Sequence, residues 1–222
     1  MLDILDDLFK DTPKNASPDT EADEIILIAD RSGSMFSIKN DAQGGINAFI
    51  EEQKKEGNAN LTFIEFDSRV DAVYKQIDIT EATEYELEPR GGTALYDAIG
   101  ATLANADKIT TTGKKIVVIV TDGDENASQE WTRDTVFERI DALKESGWDF
   151  LFLAAGQDAM TVGLSLGMDA GETVNFAASA MGAAEAYGAT TNYVSNLRGG
   201  MSKSATVDLL DLEIEDSETL SK

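Results

Sequence analysis

Residues 24–34 read EIILIADRSGS, and the change of character at Asp30 decides the fold class. Ile25 to Ala29 are apolar on consecutive positions, after which Asp30-Arg31-Ser32-Gly33-Ser34 brings a carboxylate, a guanidinium and two hydroxyls. A strand-length apolar run without alternation is buried on both faces, the condition of a central strand in a parallel sheet with helices on either side. Open α/β sheets bind ligands at the C-terminal edge of such strands, where Asp30, Ser32 and Ser34 fall. Gly33 lets the chain turn tightly enough for both serine hydroxyls to aim at the same point as Asp30.

Working outward, the same signature recurs in KIVVIVTD at 115–122, WDFLFLAA at 148–155 and LTFIEFD at 61–67. RVDAVYKQI at 69–77 follows the last of these after only an Asp-Ser turn, which predicts an antiparallel hairpin at the sheet edge. Between the runs the period becomes helical: Ile38, Ala42, Ile46, Phe49 and Ile50; then Leu95, Ala98, Ile99, Leu103 and Ala106; then Val136, Phe137, Ile140 and Leu143. Gly57, Gly113 and Gly147 stand where each helix should stop, giving the order β-α-β-β-α-β-α-β. Beyond Ala155 the pattern predicts a short helix near 158–166, a short strand over Glu172 to Asn175, and an Ala/Gly-rich helix from Phe176 to about Leu197. The folded domain is expected over 23–198, between an amphipathic segment and linker at 1–22 and an acidic tail at 199–222. Leu2, Leu5, Leu8 and Phe9 in the first, and Val207, Leu209, Leu210, Leu212 and Ile214 in the second, suit folding back on the domain or docking on a partner.

At 222 residues, with 42% hydrophobic and 27% charged side chains, the chain suits one globular α/β domain. Its formal charge of −24 repels nucleic acid and anionic membranes and favours cations or basic protein patches. The chain has no Cys and no His, which removes disulfides, thiolate nucleophiles, Ser-His-Asp triads and most zinc and haem sites. Hard oxygen donors remain, and these prefer Mg²⁺, Ca²⁺ or Mn²⁺. The start, MLDILDDLFKD, is acidic where a secretory signal would be basic, and no apolar run approaches the length of a membrane span, so a cytoplasmic protein is expected.

The strand at 115–121 should neighbour the first and ends in Thr121-Asp122-Gly123, which places a second carboxylate at the same edge. Pro89-Arg90-Gly91-Gly92-Thr93 opens a helix and supplies a further hydroxyl. Two carboxylates and three hydroxyls suit one small hard cation, with waters and an outside ligand completing a near-octahedral shell. Arg31, Arg90 and Asp124 lie beside this set in sequence and are candidates for a partner-facing rim, although the two arginines are more readily read as surface charges pairing with the many nearby acids.

Asp-x-Ser-x-Ser at a first strand, Gly-Gly-Thr at a helix start and Thr-Asp-Gly after a later strand, in that order, resemble the metal-ion-dependent adhesion site of von Willebrand factor A domains. The resemblance spans about 22–198, and TDGDENAS and GWDFLFLAAGQDA are similar to a free-standing bacterial and phage branch. It implies a three-layer, doubly wound, Rossmann-like fold with a mostly parallel six-stranded sheet, one antiparallel edge strand and helices on both faces. It also implies that Asp30, Ser32, Ser34 and Asp122 ligate Mg²⁺ (or Mn²⁺ or Ca²⁺) directly or through water, and that Thr93 joins or leaves with conformational state. A partner would supply a Glu or Asp to the metal. A MoxR-type ATPase, a phage structural protein (placing the chain in a virion) or a second copy of the chain are the kinds of partner it suggests.

Two rivals fare worse. Asp122-Gly-Asp124-Glu-Asn126 begins like an EF-hand loop, but Ala127 and Arg133 occupy the positions of its turn glycine and bidentate Glu. Asp124 and Glu125 are then rim acids or solvated loop residues. A Mg²⁺-dependent phosphohydrolase would need an acid where Ser32 stands, and no His replaces it, so a non-enzymatic protein is expected. A further possibility is an assembly protein that docks through its two apolar tails.

Overall fold

The computed structural model describes residues 21–155, 159–176 and 180–207. Six strands form one sheet in the order β3-β2-β1-β4-β5-β6. They are β1 (Asp23–Asp30), β2 (Ala59–Phe66), β3 (Val70–Asp78), β4 (Lys115–Thr121), β5 (Asp149–Ala155) and β6 (Thr173–Phe176). All neighbours pair in parallel except β2 and β3, the antiparallel edge hairpin. The helices are α1 (Lys39–Glu56), α2 (Leu95–Leu103), α3 (Arg133–Glu145), α4 (Ala159–Ser165) and α5 (Ala180–Arg198).

The consecutive apolar runs are explained by two cores. Ile25, Leu27 and Ala29 of β1 face one way, with Val118, Val120, Leu151 and Leu153, against Ile46 and Phe49 of α1 and Tyr193 and Val194 of α5. Ile26 and Ile28 face the other way, with Val117, Ile119, Phe150 and Phe152, against Ile99 of α2 and Val136 and Ile140 of α3. Each strand residue alternates between faces, and since both faces are covered every residue must be apolar. The fold expected from the sequence is the one observed. Trp148 is buried with Lys115 above its ring, while Trp131 is half-buried and covers Gly100, where an added Cβ would overlap its ring.

Several boundaries differ from the periodic reading. A 3-10 turn over Gly33–Ile38 precedes α1, so Ile38 is buried before the helix begins. α2 stops at Leu103 and Ala106 lies in a separate turn, so Gly113 ends no helix; an added Cβ there would collide with the Ala22 carbonyl. Glu172 belongs to the turn before β6, and Phe176 is the last strand residue rather than the first of α5. Phe137, on the periodic face of α3, is 42% exposed because it turns toward Gly167 at the helix margin.

Buried charge pins the last elements. Arg198 donates to Asp23 at 2.8 Å and to the Gln53 carbonyl at 2.9 Å, tying α5 to β1 and α1. Glu172, 1% exposed, is held between Lys144, at 2.7 Å, and Lys203. A short helical stretch at 203–207 lies there, with Thr206 buried and Val207 packed against the core. The apolar residues read in the tails, other than Val207, lie outside the described residues, and no described helix is long and apolar enough to cross a membrane.

Adjacent glycines in α1 give a matched test of α1–α5 packing. An added Cβ at Gly45 would overlap the Tyr187 ring, whereas at exposed Gly44 it meets nothing within 4 Å. Gly45→Ala should lower stability by about 1–3 kcal/mol through overpacking. Gly44→Ala should raise it by about 0.5–1 kcal/mol, because Ala loses less backbone freedom in a helix. Denaturant melts of the two variants check both signs.

Candidate metal centre

β1 and β4 are parallel neighbours with Ala29 opposite Val120, so Asp30 and the pair Thr121-Asp122 emerge side by side at the C-terminal edge. Asp30 is fully buried: its Oδ1 accepts the Ser32 N–H at 2.6 Å and its Oδ2 accepts the Thr121 hydroxyl at 2.6 Å. The Ser32 and Ser34 hydroxyls are 2.9 Å apart, and Ser34 donates to Asp122 Oδ1 at 2.6 Å. Gly123 marks where the set converges. A Cβ at that position would lie 3.2 Å from Ser34 Oγ, 3.4 Å from Thr93 Oγ1 and 4.0 Å from Ser32 Oγ. The structure thus brings all five candidate ligands together from three loops. Among the described residues no group of three or more Asp, Glu, His or Cys could hold a metal; the donors here are two carboxylates and three hydroxyls.

The loops are fastened from behind. Thr93 donates its N–H to Asn126 Oδ1 at 2.9 Å, and its carbonyl accepts the N–H groups of Asn126 and Ala127. Glu125, read from the sequence as a rim acid or a solvated loop residue, instead faces inward and accepts from the backbone N–H groups of Tyr96, Ala127 and Ser128 and from the Ser128 hydroxyl. Asp97 likewise accepts the N–H groups of Gln129, Glu130 and Trp131. Sequence reading missed these anchors, Thr121 included; an Asx or Glx beside a Gly-rich loop was the available signal.

The candidate rim divides. Arg31 is buried, with Nε on Asp67 at 2.9 Å and its terminal nitrogens on Glu65 and Asp71, so its guanidinium is committed inside the fold. Arg90 is largely exposed and also reaches Asp67, at 2.7 Å. Asp124 is exposed, and among the described residues its carbonyl accepts from Asn126.

Electrostatically the site favours positive charge. Burial pushes the Asp30 carboxyl up to about 6 against the pull of its Thr121 and Ser32 donors, and the neighbouring Asp122 adds to the rise. Burial also raises Asp122, despite the Ser34 hydroxyl. The side-chain donors to both are neutral hydroxyls, so a cation would relieve a cost that the protein carries without one.

The sign of the pH dependence follows. With a folded value near 6 and an ordinary value of 3.8, the cation-free folded state binds the Asp30 proton more tightly than the unfolded chain. Stability from this group is therefore present below about pH 4 and is lost as pH rises to about 6, an effect of about 3 kcal/mol. Denaturant melts in EDTA across this window should show the decline in the wild type and a shallower one in Asp30→Asn, in which Asp122 still titrates.

Comparison with known proteins places the chain in a family. Residues 12–187 match the model of the family described as VWA domain containing CoxE-like protein. No curated protein matches. Among solved structures, the pilus adhesin SpaC from Lactobacillus rhamnosus GG is similar at 14% identity and a TM-score of 0.64, covering 80% of this chain and 31% of that one. A von Willebrand factor type A protein from Catenulispora acidiphila is similar at 16% identity and a TM-score of 0.51, with 77% and 42% covered. Manganese-loaded TRAP protein from Plasmodium vivax is similar at 18% identity and a TM-score of 0.51, with 68% and 64% covered. This chain therefore spans less than two thirds of each of these three proteins. With a family model matching residues 12–187 of its 222, the chain belongs to the CoxE-like VWA family.

Proposed function

We propose that this protein is a divalent-cation-dependent protein-interaction module. Mg²⁺ bound by Asp30, Ser32, Ser34, Thr93 and Asp122 would present an open coordination position to an acidic side chain of a partner. The observation that carries this reading is the convergence of three hydroxyls on one point beside two desolvated carboxylates. Hard oxygen donors of this number suit Mg²⁺, with Mn²⁺ or Ca²⁺ as substitutes, and the manganese-loaded TRAP protein supports a divalent ion in this fold. A partner's Glu or Asp would complete the coordination shell at the open position, whether the partner is an ATPase of the MoxR type, a phage structural protein or a second copy of the chain. Membership of the VWA family and likeness to a pilus adhesin support protein contact as the role. A non-enzymatic role fits the site's chemistry: Ser32 cannot serve as an acid or base near neutral pH, and the chain has no His.

Two measurements test this. Adding Mg²⁺ at about 100 Kd to EDTA-stripped protein should stabilise it by about 3 kcal/mol, and Asp30→Ala should abolish the gain. Partner capture from native lysate should disappear both with EDTA and with Asp30→Ala; the same proteins eluting under all conditions would sink the model.

A further inference from the structure

Arg31 stands in sequence between two candidate ligands, yet its buried guanidinium is turned toward β2 and β3. A buried guanidinium requires acceptors and neutralisation, and unneutralised it would oppose a cation nearby. Glu65, Asp71 and Asp67 supply both. Asp67 differs from the other two in what else it holds. It is 3% exposed, and the same Oδ2 that accepts Arg31 Nε also accepts Arg90 Nε at 2.7 Å. Its Oδ1 accepts the Arg69 N–H at 2.9 Å, and its carbonyl accepts the Ala94 N–H at 2.8 Å. Asp67 therefore grips the loop of Thr93 on both sides, at Arg90 and Ala94, and the loop of Ser32 and Ser34 at Arg31. The two gripped loops also touch directly, Arg90 N–H to the Arg31 carbonyl at 2.8 Å and Gly33 N–H to the Gly91 carbonyl at 3.2 Å.

We infer that Asp67 is a positioning residue of the cation site, clamping residues 31–34 against 90–94 so that the Thr93 hydroxyl meets those of Ser32 and Ser34 at one point. The inference rests on the cation reading above. The hydrogen bonds to the Asp67 carboxylate come from the two arginines and its own turn, so it acts through the loops and not as a ligand. Removing its charge loosens the shared anchor and takes one negative charge from the cluster beside the site. Both effects weaken cation binding.

The test is calorimetric titration of Mg²⁺ into the EDTA-stripped full chain near neutral pH, with thermal melts in EDTA alongside. Asp67→Asn should raise the Mg²⁺ Kd about 10- to 100-fold, the cost typical of losing a group that orients ligands. Arg90→Gln, at a largely exposed side chain, should raise it about threefold. Gly113→Ala, whose added Cβ would collide with the Ala22 carbonyl at the N-terminal edge of the sheet, opposite these loops, should lower the melting temperature and leave Kd unchanged. An unchanged Kd in Asp67→Asn, or a loss in Gly113→Ala as large as in Asp67→Asn, overturns the inference. If Asp67→Asn fails to fold, an unchanged Kd in Arg90→Gln overturns it instead. A wild type that takes up no Mg²⁺ removes the cation reading itself, and this inference with it.

Discussion

The parallel pairing of β1 with β4 is the constraint on which the rest depends. It sets Asp30 level with Thr121, so that a hydroxyl from one strand end satisfies a carboxylate from the other inside a fully buried edge. The chain leaves β1 toward α1, which packs on one face of the sheet, and leaves β4 toward α3, which packs on the other. Connections that part to opposite faces open a crevice between the strand ends, and the loops fill it with polar groups because apolar cover is missing there. Chain direction, strand order and site location are thus one fact seen at three scales.

Neighbouring acids at this edge meet burial in opposite ways. Asp30 has only neutral donors, so desolvation prevails and its carboxyl rises to about 6. For Asp67 burial also pushes upward, but Arg90 and Arg31 overcome it and hold the carboxyl below its usual range. Ion pairing thus neutralises Asp67 internally, while the charge on Asp30 is left for something outside the chain to answer. That division separates the scaffold acids from the candidate ligands more sharply than sequence position does, since Asp124 lies as near Asp122 as Ser32 does to Asp30, and Glu125 one residue further, yet both serve differently.

Much of the fold was legible because helices and doubly covered strands write their periods directly into the chain. The runs at 24–30 and 115–121 needed no partner information to be placed at the centre of a sheet. The misread boundaries share one cause. At Ile38, Ala106, Phe137 and Phe176 an apolar residue is buried or displaced by contacts from another element, so its position in a helical period carries no information about helix extent. Gly113 misled similarly, because its requirement is close approach of the Ala22 carbonyl and not a helix end.

The sequence by itself determined the α/β class, the strand edges carrying Asp30 and Asp122, and the restriction to oxygen chemistry, since these follow from local period and from residue types present or absent. The tertiary structure alone decided that Thr93 arrives beside Ser32 and Ser34, and that Arg31 turns inward. It alone also decided that Asp67, Thr121, Glu125 and Asn126 hold the loops in place. Such roles depend on which distant backbone groups a short side chain meets once the loops are packed, and spacing along the chain does not encode those meetings.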